Sequence, residues 1–97
     1  MKRTNSQSIS EILGDVFNEN RQLREKILEI RIERAWGEVL GPMVMQYTRN
    51  VYVRYGVLYV SLTSAVLRSE LSMCKERLVV SLNKYAGAEV IKELVLR

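Results

Sequence analysis

A chain of 97 residues and 11.3 kDa accommodates one small domain, since domains typically run to about 100 to 200 residues, and leaves no room for a separate cofactor-binding module. With 47% hydrophobic and 27% charged residues the composition is that of an ordinary globular domain, which excludes extended disorder and fibrous repeats. Fifteen Lys and Arg against 11 Asp and Glu give a net charge of +4, open to an acidic partner, while the absence of His and the single Cys exclude Ser-His-Asp and Cys-His catalysis, Cys/His zinc sites and an internal disulfide.

Residues 1–7, MKRTNSQ, are polar and aperiodic and read as a flexible basic tail; residues 8–97 read as a single domain. Ser8 and Glu11 have capping-box spacing, which predicts a first helix from about Ile9. That helix carries Ile9, Ile12, Leu13, Val16 and Phe17 on one side. No secretion signal precedes it. A second, longer helix is expected from Arg21 to Leu40, with Leu28, Ile32, Ala35, Trp36 and Val39 on its packing face and Leu23, Ile27 and Ile30 widening it. Its opposite side bears Glu25, Glu29 and Glu33 among arginines, read first as a solvated face and otherwise as a surface for a partner. Trp36 reads as a core anchor, and Gly41-Pro42 stops the helix.

From Met43 to Thr63 the period changes to two. Val51, Val53 and Tyr55 alternate with Asn50, Tyr52 and Arg54, and Leu58, Val60 and Leu62 with Tyr59 and Ser61, a β-hairpin turning at Gly56. Met43 and Met45 read as gap-fillers beside it. Thr63-Ser64 caps a third helix with Leu67, Leu71, Cys74, Leu78, Leu82 and Tyr85 on one stripe, closed by Gly87; Cys74 on that stripe reads as a small buried hydrophobe. Glu89 to Arg97 reads as a last strand. The expected order is ααββαβ, an α+β domain of two layers with a three-stranded sheet, mixed or antiparallel, covered by helices on one face. The weakly polar run Val39 to Met45 is far short of the about 20 residues of a membrane span, so a soluble cytoplasmic protein without membrane contact is expected.

Four of the five tyrosines, Tyr47, Tyr52, Tyr55 and Tyr59, are concentrated in one short stretch, and Val39 to Ser69 contains Arg49, Arg54 and Arg68 but no acidic residue. The alternation places Tyr52, Arg54 and Tyr59 on the sheet face opposite Val51, Val53, Leu58 and Val60. Rings that stack on bases beside guanidinium groups that pair with phosphate are the equipment of a single-strand binder, although cross-strand tyrosines also stabilise a sheet with no ligand at all. No P-loop, dinucleotide fingerprint or acid–base pair is present, and neither an enzyme nor a cofactor is expected.

Ala35-Trp36, Val39-Leu40-Gly41, Tyr47-Thr48, Gly56-Val57-Leu58-Tyr59-Val60, Ser64-Ala65-Val66, Glu70-Leu71, Leu82-Asn83 and Gly87 together form an ordered set that resembles the DciA-like proteins of bacteria. The resemblance implies a KH-like α+β domain that touches DNA and contacts a DnaB-type replicative helicase, helping it onto single strands without hydrolysing ATP. Leu67 stands where that family often has an aromatic residue, and Gly41-Pro42-Met43-Val44 lacks the second glycine of the G-x-x-G loop with which KH domains clamp a nucleic-acid backbone. The leading expectation is a non-enzymatic adaptor that binds single- or double-stranded DNA through Arg49, Arg54 and Arg68, with Tyr52 and Tyr59 on bases and Lys2 and Arg3 adding attraction. The alternative is a protein-interaction or homo-oligomerisation module using Glu25, Glu29 and Glu33 or a free sheet edge.

Overall fold

The computed structural model describes residues 21–97; the basic tail with Lys2 and Arg3, the Ser8–Glu11 capping box and the first expected helix lie outside the described residues. Helix α1 (Arg21–Leu40) leads into a short helix α2 (Pro42–Gln46), strand β1 (Thr48–Arg54) and strand β2 (Val57–Leu62). Helices α3 (Ala65–Ser72) and α4 (Lys75–Ala86) follow, and strand β3 (Glu93–Leu96) closes the sequence of elements. The sheet has the order β1-β2-β3, with β1 antiparallel and β3 parallel to β2. It is a mixed three-stranded sheet in an α+β domain, broadly consistent with a KH-like fold.

The core is built on one face of the sheet. Leu58, Val60 and Leu62 alternate as the buried residues of β2, and Leu94 of β3 lies opposite Leu58. Ile32, Ala35 and Trp36 of α1 and Leu78, Leu82 and Ala86 of α4 close over them, joined by Ile91. The Trp36 ring is fully buried and its Nε1–H donates to Thr48 Oγ1 at 3.0 Å; that hydroxyl donates in turn to the Val44 carbonyl at 2.8 Å. The indole therefore fills volume and ties α1 to α2 and β1 in one network. Met45 packs on Gly37, where an added Cβ would come within 3.0 Å of its Cγ, but 43% of its surface stays exposed, and Met43 is more exposed still, so neither is a buried gap-filler.

Four other sequence expectations need adjustment. The single third helix is two, because the chain breaks at Met73 and Cys74, whose amides bond to Glu70 and Leu71 three residues back before Cys74 leaves helical geometry at φ −132°. Cys74 is half-buried at this junction rather than inside a helix. The packing stripe of α4 ends at Ala86, while Tyr85 faces solvent, and Ile30, Leu23 and Val39 of α1 are likewise exposed. The last strand is only four residues long, since the stretch before it is held by a side chain. Asn83 Oδ1 accepts from the amides of Val90 and Ile91 at 2.9 and 3.0 Å, and its Nδ2 donates to the Ile91 carbonyl at 2.9 Å.

Local signals were otherwise obeyed. Ser64 caps α3 by accepting from the Leu67 amide, and Gly87 ends α4 in the left-handed conformation. The hairpin turns on two residues, Tyr55 at φ +53° and Gly56 at φ +77°, the signs of a type I′ turn. The alternation makes Tyr55 a strand residue; it sits instead at the turn, in a conformation costly for a side chain other than Asn or Gly, with 95% of its surface exposed. Tyr55→Asn is therefore expected to stabilise the domain by about 1 kcal/mol, a rise in Tm of about 4 to 8 °C by scanning calorimetry. A fall in Tm would show that the tyrosine ring is anchored.

Candidate nucleic-acid interface

The hairpin register sets Tyr52 opposite Tyr59 and Val51 opposite Val60, so the tyrosines share the face away from the core. Their rings stack with centroids 5.0 Å apart at an interplanar angle of 17°. The parallel partner of Tyr59 is Val95, and two residues further on Arg97 projects onto the same face. Its guanidinium lies 4.8 Å from the Tyr59 ring centroid, and Nη2 donates to the Tyr52 hydroxyl at 3.1 Å. β1, β2 and the residue that follows β3 thus contribute one side chain each to a single cluster.

The arginines expected beside these rings are spread more widely. Arg54 is exposed at the end of β1. It lines an open groove of about 790 Å³ together with Arg21, Arg24, Glu25 and Glu29 of α1 and Glu89. Arg49 sits at the register shift between Thr48 and Asn50 and lines a shallower groove of about 440 Å³ with Arg34, Ile30 and Met45. Arg68 is half-buried in α3, and among the described residues no contact joins it to the tyrosine pair. Geometry brings together Tyr52 and Tyr59 and leaves Arg49 and Arg54 towards opposite ends of β1, with Arg68 away on α3.

The acidic row is not the plain solvated face of the first expectation. Glu33 is half-buried and its Oε2 accepts from the Val53 amide at 3.3 Å, while Glu25 and Glu29 line the larger groove. The cause is the placement of α1 along β1. In a two-residue hairpin the pairing of Arg54 with Val57 directs the Val53 amide away from β2, where the Glu33 carboxylate meets it.

Arg97 was missed at the sequence level because its face depends on the register of a strand whose phase no local pattern reveals. Arg21, Arg24 and Arg34 were seen only as charges on a helix. Among the described residues no group of three or more His, Cys, Asp or Glu could hold a metal ion, and no helix is long and apolar enough to cross a membrane.

The family model described as Dna[CI] antecedent, DciA, matches residues 8–96, nearly the whole chain. The chain belongs to the DciA family. That membership carries a helicase-loader-like role in DNA replication and association with the DnaB-type helicase. No curated protein matches the chain. In this DciA-family domain Trp36 is fully buried in the core, and the Gly56-Val57-Leu58-Tyr59-Val60 segment closes the hairpin turn and starts the central strand.

Proposed function

We propose that this DciA-family domain is a non-enzymatic DNA-binding adaptor, which holds DNA on the open face of its sheet while a protein partner engages another surface. The observation that carries the reading is the stacked, half-buried Tyr52–Tyr59 pair on the sheet face away from the core, within a stretch, Val39 to Ser69, that holds three arginines and no carboxylate. Arg49 and Arg54 lie towards the two ends of β1, the strand that bears Tyr52, and Arg68 adds positive potential from α3. Lys2 and Arg3 add to the attraction from the tail. Glu25 and Glu29, beside the larger groove, are the acidic groups available to a basic partner segment, since Glu33 is already engaged by β1.

Binding to labelled DNA, followed by fluorescence anisotropy at several salt concentrations, tests this directly. Affinity should fall linearly on logarithmic axes as salt rises. Arg49→Ala with Arg54→Ala should weaken single-strand binding about tenfold and reduce the slope by about 1.4, two phosphate contacts at about 0.7 each. Unchanged affinity and slope in the double variant would remove these two residues from the interface.

A further inference from the structure

Resting on the DNA-binding reading above, we infer that Tyr52, Tyr59 and Arg97 form a preassembled subsite for one nucleotide of a single strand, with the base on the outer face of Tyr52 and an adjacent phosphate on Arg97. The inference starts from an arginine whose charge is unspent. Arg97 is exposed, and among the described residues no carboxylate pairs with it. An exposed arginine without an ion pair would ordinarily sample many rotamers. This one is held twice, against the Tyr59 ring and by the Tyr52 hydroxyl. The second contact uses one N–H of the five that a guanidinium offers, so most of its donors remain free in a fixed plane. A planar, fixed, unpaired guanidinium is suited to bidentate contact with a phosphate.

The rings supply the second half. Each tyrosine gives one face to the other, and Arg97 lies against Tyr59. What remains is the face of Tyr52 turned away from Tyr59, towards the free side of β1, and among the described residues no other ring or cation is placed on it. Tyr59 is thus support rather than stacking surface, which narrows the sequence expectation that both tyrosines contact bases. A base stacks on a protein ring only when it has left its own stack, so a duplex can offer this subsite its phosphates but not its bases. The Arg97–Tyr52 hydrogen bond ties the phosphate half directly to the ring that offers the base half. The subsite therefore favours single strands.

The test compares a labelled oligothymidine with a duplex of equal length, by anisotropy at low salt, for the full chain and its variants. Tyr52→Leu should weaken single-strand binding about tenfold and change duplex binding less than twofold, and Arg97→Ala should weaken single-strand binding about tenfold and duplex binding by a clearly smaller factor. Arg97→Lys, which keeps the charge but loses the planar fork, should recover less than half of that loss on the logarithmic scale. Circular dichroism checks that each variant folds, and Tyr52→Phe, which keeps the ring and loses only the hydroxyl anchor, should show an intermediate loss of about threefold. Equal losses on both DNA forms, or none with Arg97→Ala while wild-type binds, would overturn the subsite and leave the adaptor reading standing. Failure of the wild-type chain to bind either DNA would overturn both.

Discussion

Replacing Trp36 with alanine should cost about 3 to 5 kcal/mol, because it empties a fully buried site beneath the sheet and removes the donor that satisfies Thr48. Small domains hold a net stability of about 5 to 15 kcal/mol, so much of the population would be unfolded well below the wild-type transition. Trp36 is also the sole tryptophan, which makes its own emission a core probe in the wild type and forces circular dichroism for the variant. Urea denaturation measures the difference. Trp36→Phe retains most of the ring volume and should lose about 1 to 3 kcal/mol, chiefly through the lost N–H. A loss below 1 kcal/mol for the alanine variant would contradict the role of the indole as the tie between α1, α2 and β1.

The second large effect is expected at Asn83. One side chain satisfies three backbone groups of the segment that delivers β3, two of them on the fully buried Ile91. Asn83→Ala leaves those groups without partners and should cost about 3 kcal/mol, read by the same denaturation experiment. Asp at this position keeps both acceptances but loses the amide donor and buries a charge, so it should rescue little. Because Arg97 directly follows β3, loosening this latch should also erode single-strand preference before the domain unfolds globally. Hydrogen exchange at Val95 and Leu96 would report the loosening.

Much of the architecture was legible because its signals are local. The stripe through Ile32, Ala35 and Trp36, the alternation from Asn50 to Leu62, the Ser64 cap and the Gly87 stop each act within a few residues. The break between α3 and α4 escaped because Leu67, Leu71, Cys74, Leu78 and Leu82 keep helical spacing straight through it, and all five still pack in or against the core. Helix α2 is too short, at five residues, for periodicity to register. In the candidate site, the shared face of Tyr52 and Tyr59 follows from the alternation of the two strands, whereas Arg97 and the use of Glu33 depend on how distant elements meet. Arrangement in space, rather than residue type, decides those two.

The hydrogen bond from the Val53 amide to Glu33 has a consequence beyond local satisfaction. A sheet of three strands ends in an edge whose unpaired backbone groups invite another chain, and an uninterrupted edge would let copies polymerise side by side. Here the outward amide of Val53 is occupied by a carboxylate, and the register shift near Arg49 breaks the regular spacing further along the same strand. Sheet growth is thus hindered towards both ends of β1, and a strand added by another chain would meet fewer obstacles on the opposite edge, where only the four residues of β3 offer a template.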